Sequence, residues 1–228
     1  MKPILPNCRE SLSGEDLRFM VESLASRADA ETGLRELLSE TSARDLALES
    51  ERVFQRLLES PELLKVSPRF YFYVLARRSL RDLQGDVADY LASVLTAYID
   101  IQKLRTLPGH PELTVDYVTD MLVALAAATA EHQFLLQAHV GNYTLFMAGI
   151  FPDHIRQRAD RHGAPGLAFY EAVGSACYRQ AADHRLAQRH ELVEVFRTIA
   201  DHFREVRQDL NRLADGLLHV DTAGGFAG

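Results

Sequence analysis

Residues 192–217 read LVEVFRTIADHFREVRQDLNRLADGL, and the apolar positions in this stretch decide the fold class. Leu192, Phe196, Ile199, Phe203, Val206, Leu210, Leu213 and Leu217 recur at alternating steps of four and three. On a helix that spacing keeps every one of these side chains on a single stripe, the a and d positions of a heptad. A half-buried strand needs apolar and polar residues in strict alternation, and no segment of the chain shows it. The stripe predicts a long C-terminal helix. Its apolar edge serves either the core of an antiparallel bundle or the seam of a homodimer. The bundle is the better reading, because the other helices of the chain also need a partner face.

Moving outward from the stripe, the tail after Val220 is small and rich in glycine, so residues 221–228 are expected to be flexible. Upstream, residues 167–189 read as one helix. Pro152 opens a short basic helix that stops at Gly163-Ala164-Pro165-Gly166. Residues 114–150 read as one long helix with Gly141 as a point of kinking. Residues 105–113 hold Pro108, Gly109 and Pro111, the clearest loop and the best subdomain boundary. Further back, a helix starts at Asp86 after the break at Gly85. Pro68 opens an apolar helix through Phe70, Tyr71, Phe72 and Tyr73. Another helix starts near Ser42, with Asp45 in capping position, and stops at Pro61. Ser13 with Asp16 three residues on resembles a capping box. The sum is an all-α helical bundle of about eight or nine helices. It is read as a single domain over residues 1–220, with residues 1–60 as an outer helical layer.

Composition supports a globular chain: of 228 residues, 47% are hydrophobic and 25% charged. A net charge of −7 without a basic run argues against general binding to a phosphate backbone or an anionic bilayer, so neither nucleic acid nor membrane is expected as a partner. The longest apolar stretch, residues 121–130, is half the length of a membrane span. Two cysteines, Cys8 and Cys177, give no disulfide framework, and Cys177 sits in an apolar helical pattern as a small hydrophobe. No apolar leader segment is visible. A soluble cytoplasmic protein is the expectation.

The residues that could carry chemistry cluster late in the chain. His132 and His139 are seven apart and share a helix face, which Tyr143 extends, with Asn142 beside it. An imidazole and a phenol so placed could bind a substrate or move its proton. Equally, both could be buried polar groups with satisfied partners. In the following helix Tyr170, Cys177 and His184 form one row, and Glu171, Tyr178 and Arg185 the next. If these rows faced His139, they would enclose a cleft lined by His, Tyr and Glu. In the basic helix, His154, Arg158, Arg161 and His162 fall on one face and form a candidate anion site. Arg77, Arg78 and Arg81 make a second basic cluster.

Metal chemistry has little footing. No Glu-x-x-His pair and no His-Glu-x-x-His occurs, so no metal site and no cofactor is assigned. Asp82/Asp86 and Asp116/Asp120 are carboxylate pairs one turn apart, a spacing that can hold magnesium against a diphosphate. In an all-α chain this resembles isoprenoid synthases of the squalene and phytoene type, over those four residues only. The pairs lie 34 residues apart, Gly85 interrupts the first, and no Asp-rich helix centre surrounds either. Asp86 and Asp116 read more simply as acids at helix N-termini. With no catalytic motif in the chain, the favoured function is a binding or interaction module acting through helix faces, with a homodimer or another protein as partner. The alternative is an all-α enzyme or small-ligand binder with a cleft between the helices containing His139 and Tyr178.

Overall fold

Ser13 begins the first helix by a reciprocal cap. Its hydroxyl accepts from the Asp16 amide at 3.1 Å, and the Asp16 carboxylate accepts from the Ser13 amide at 2.7 Å. A computed structural model of the chain describes residues 3–25, 30–59, 65–80, 83–108 and 110–215. These residues are predominantly helical and fall into two compact units, one of residues 6–96 and the other of residues 97–215 with residues 3–5.

The first unit contains α1 (Gly14–Leu24), α2 (Ala30–Leu37), α3 (Thr41–Leu48), α4 (Glu51–Glu59), α5 (Pro68–Ser79) and most of α6 (Gly85–Tyr98). Asp16 is fully buried and does more than cap α1. Its carboxylate also accepts the Ser67 amide and hydroxyl, each at 2.7 Å, which ties the start of α1 to the start of α5. A buried carboxylate is tolerated here because it accepts three hydrogen bonds. Pro68 occupies the first turn of α5, as the sequence predicts, and Ser67 before it supplies the cap. Around Asp89, the Arg9 guanidinium donates at 3.0 Å and the Cys8 amide at 2.7 Å. The expected cap at Ser42 is not made. Helix α3 starts at Thr41 after Glu40 with no side-chain cap, and Asp45 turns toward Arg9 instead. Pro61 and Asp82 lie outside the described residues.

In the second unit the proline- and glycine-rich segment does not separate domains. It folds back after α7 (Ile101–Arg105) as an antiparallel pair, β1 (Thr106–Leu107) and β2 (His110–Thr114), with Thr106 opposite Thr114. The expected helix over residues 114–150 is two helices, α8 (Val118–Ala127) and α9 (Ala130–Ile150). Ala128 and Thr129 between them are extended, with ψ of 143° and 156°. Gly141 lies inside the continuous α9. It lets the Tyr178 ring approach to 3.1 Å from where a Cβ would stand. After α10 (Pro152–His162), Gly163 takes the left-handed C-cap at φ 62°, and α11 (Leu167–Ala182) follows.

The expected helix over residues 167–189 ends early. His184 accepts the Leu186 amide through Nδ1 and starts α12 (Arg185–Arg189). The long heptad helix is likewise two, α13 (Val193–Asp201) and α14 (Phe203–Leu213), broken at His202. The stripe survives the break: Leu192, Phe196, Ile199, Phe203, Val206, Leu210 and Leu213 are all buried within this chain, while Leu217 and the tail lie outside the described residues. Helix α9 packs against α11 and α14, and α11 against α13. Gly174 on α11 makes that packing close, because a Cβ there would stand 2.3 Å from Phe203 and 2.5 Å from the Thr144 hydroxyl. No helix among the described residues is long and apolar enough to cross a membrane.

Candidate functional site

Helix α10 starts at Pro152, which needs no amide partner, and buries one side through Ile155. Its row His154, Gln157, Arg158, Arg161 and His162, at steps of three, four, seven and eight, falls on another face. That face forms one wall of an open cleft of about 820 Å³. The C-terminal end of α7 contributes Leu104 and Arg105, and the turn between β2 and α8 contributes Asp116 and Tyr117. Helix α9 adds Tyr143 and Met147, one turn apart, and the loop after α10 adds Ala164 and Pro165.

Two groups in the cleft neutralise each other. Arg105 donates to the Asp116 carboxylate at 2.7 Å. The Tyr143 hydroxyl donates to the Asp116 carbonyl at 2.9 Å, which fixes the turn. Burial pushes the Tyr143 phenol up, so it stays a neutral donor and not a proton acceptor. The guanidinium of Arg158 lies 4.4 Å from the centre of the Tyr117 ring. Among the described residues neither Arg158 nor Arg161 pairs with a carboxylate. Burial first and the Arg158 charge second lower the His154 imidazole, which keeps it neutral near pH 7. The result is a cleft with two arginines that have no carboxylate partner among the described residues, lined also by Tyr117, Ala164 and Pro165 and by the nearly buried Leu104, Tyr143 and Met147.

The structure lines one cleft with the four anion-site candidates and Tyr143, and places the other candidates outside that lining. His139 is buried on α9, its Nδ1 3.4 Å from the Tyr98 hydroxyl, and its Nε2 has no hydrogen-bond partner. Burial pushes it down to about 4, opposed in part by the Leu104 backbone. No hydrogen bond among the described residues joins His139 to Tyr143. His132 is exposed beside the Thr129 hydroxyl at 3.2 Å. Asn142 accepts from the buried Tyr178 hydroxyl at 2.6 Å, a core contact between α9 and α11. Glu171 accepts from Arg207 at 2.8 Å and Arg204 at 3.1 Å, and so clips α11 to α14. His184 caps α12 and stacks on Phe134, ring centres 5.3 Å apart. Tyr170 lines a small recess beside the cleft, with Tyr117, Arg158 and Pro165. Cys177 is buried, its thiol pushed up to about 12 by that burial.

Arg105, Tyr117 and Gln157 enter the site without having been singled out as ligand residues from sequence, and Asp116, read there as half of a carboxylate pair with Asp120, enters it paired with Arg105. Of the first three, only Gln157 carried a one-dimensional signal, through its place on the α10 row. The others come from the strand pair and the turn beside it. Among the described residues no three His, Cys, Asp or Glu side chains are grouped to hold a metal ion. Compared with known proteins, the chain matches no protein-family model, no curated protein and no solved structure.

Proposed function

We propose that this protein binds a small anionic ligand in the cleft walled by α10, with the helices of residues 97–215 acting as a bundle that holds the site. The observation that carries the reading is the state of Arg158 and Arg161. Both face a cleft of ligand size, and neither has a carboxylate to neutralise it among the described residues. A guanidinium is always charged and presents its donors as a planar fork, so it favours an oxyanion over a neutral ligand. Arg158 is also oriented by the Tyr117 ring, which lowers the entropy lost when it engages a ligand. His162 adds a donor to the same wall.

Docking of a protein through a helix face has narrower support. It rests on α8, which buries Val118 and Met121, leaves Val123 70% exposed, and carries Asp120 as its one charged residue. The cleft is the stronger reading because its charge and shape point to one ligand class.

An amide-resolved NMR titration with inorganic phosphate tests it. Shifts concentrated at Arg105, Asp116, Tyr117 and residues 154–162 are the expected result. Shifts spread over the surface, or none at millimolar phosphate, would sink the proposal.

A further inference from the structure

The two walls of the cleft differ in chemistry, and the difference narrows the ligand class. We infer that the ligand is an organic phosphate monoester, its phosphoryl group against Arg158, Arg161 and His162 and its uncharged body against Tyr117, Ala164 and Pro165. This rests on the anion-binding reading above.

Three observations carry it. Arg158 and Arg161 are three residues apart on α10, a rise of about 4.5 Å, with His162 adjoining. A carboxylate can accept from two arginines, as Glu171 does from Arg204 and Arg207, but it offers only two oxygens. A phosphoryl group has three peripheral oxygens, which lets it accept from both arginines and the imidazole together. Second, the cleft measures about 820 Å³, the range of pockets that enclose whole organic ligands, so an inorganic anion would leave most of it to water. Beyond the basic row the lining includes the half-exposed Tyr117, with Ala164 and Pro165, beside the Arg105–Asp116 pair, while Leu104, Tyr143 and Met147 are nearly buried. Third, the Asp116 carboxylate sits in the cleft beside Arg105, whose charge it already neutralises. A second anionic group at that end would meet Asp116 with no cation to spare. The ligand is therefore charged at one end only.

The experiment is calorimetric titration of the full chain with phenyl phosphate, inorganic phosphate and benzoate at one ionic strength. Phenyl phosphate should bind about tenfold or more tighter than inorganic phosphate, and more tightly than benzoate. Ala164→Phe serves as a companion variant, since Ala164 is half-exposed after the α10 cap and a ring there fills the apolar side. It should erase the phenyl phosphate advantage, with the melting curve confirming that the variant folds. Equal binding of phenyl phosphate and inorganic phosphate overturns the inference and leaves the anion site standing, as does an advantage that survives Ala164→Phe. Benzoate binding as well as phenyl phosphate overturns the choice of a phosphoryl group. Failure of all three probes to bind overturns the anion-binding reading itself.

Discussion

Two arginine pairs in this chain look alike in sequence and end differently in space. Arg77 and Arg78 sit near the end of α5, Arg158 and Arg161 near the end of α10, where cations complement the helix dipole. In the first unit, Arg77 donates to Glu49 at 2.8 Å and to the Leu83 carbonyl at 3.3 Å. Arg78 pairs with Glu51 and lies 5.0 Å from the centre of the Phe54 ring. Arg81, the third member of that cluster, lies outside the described residues. The helices packed beside α5 supply carboxylates, so its arginines bind the protein to itself. The elements beside α10 supply Tyr117, Tyr143 and Met147, and their one carboxylate in the cleft, Asp116, is taken by Arg105. A basic cluster thus becomes a site or a strut according to what its neighbours bring, and those neighbours are distant in sequence.

The comparison sharpens at its extreme, a titratable base with no counter-charge. His139 is held neutral by burial, pushed down to about 4, and its Nε2 lacks a partner. In the unfolded chain it takes up a proton near its ordinary value of 6.5. Stability is therefore full above about pH 6.5 and falls as pH drops toward about 4, by roughly 1 kcal/mol per pH unit. Melting of wild type and His139→Asn between pH 7 and pH 5 checks this. The wild-type curve should fall more steeply, and parallel curves would contradict it. Asp116 gives a smaller effect of opposite sense. Asp116→Asn removes the carboxylate that occupies Arg105 and leaves a third cation facing the cleft. Calorimetry should find phosphate bound roughly three- to tenfold tighter. Unchanged or weaker binding would show that Arg105 does not reach the ligand.

Much of the fold was legible because its signals are local. The Ser13–Asp16 cap, the Pro68 start of α5 and the Gly163 stop of α10 each depend on residues within a turn of one another. The heptad stripe marked the buried edge of α13 and α14 correctly but not the break at His202, because apolar spacing is nearly indifferent to one residue leaving helical geometry. Similarly, nothing in the run from Leu125 to Ala130 announces the extended pair Ala128-Thr129. Glu191 shows the same limit: it takes φ 57°, a conformation that favours glycine, at the end of α12. The anion row was readable because it lies on one helix. Its partnership with Arg105, Tyr117 and Tyr143 was not, because it depends on a strand pair and a turn with no periodic signal. The shared face of His132 and His139 was real as helical geometry. Burial then placed one in the interior and the other at the surface, which spacing alone does not decide.

The most direct test titrates inorganic phosphate into three proteins side by side: wild type, Arg158→Gln/Arg161→Gln and Arg77→Gln/Arg78→Gln. The expected result is a loss of about tenfold or more for the α10 pair, from the charge-assisted hydrogen bonds removed, and wild-type affinity for the α5 pair. Equal losses in the two variants, or full affinity without Arg158 and Arg161, would contradict the assignment of the cleft as an anion site.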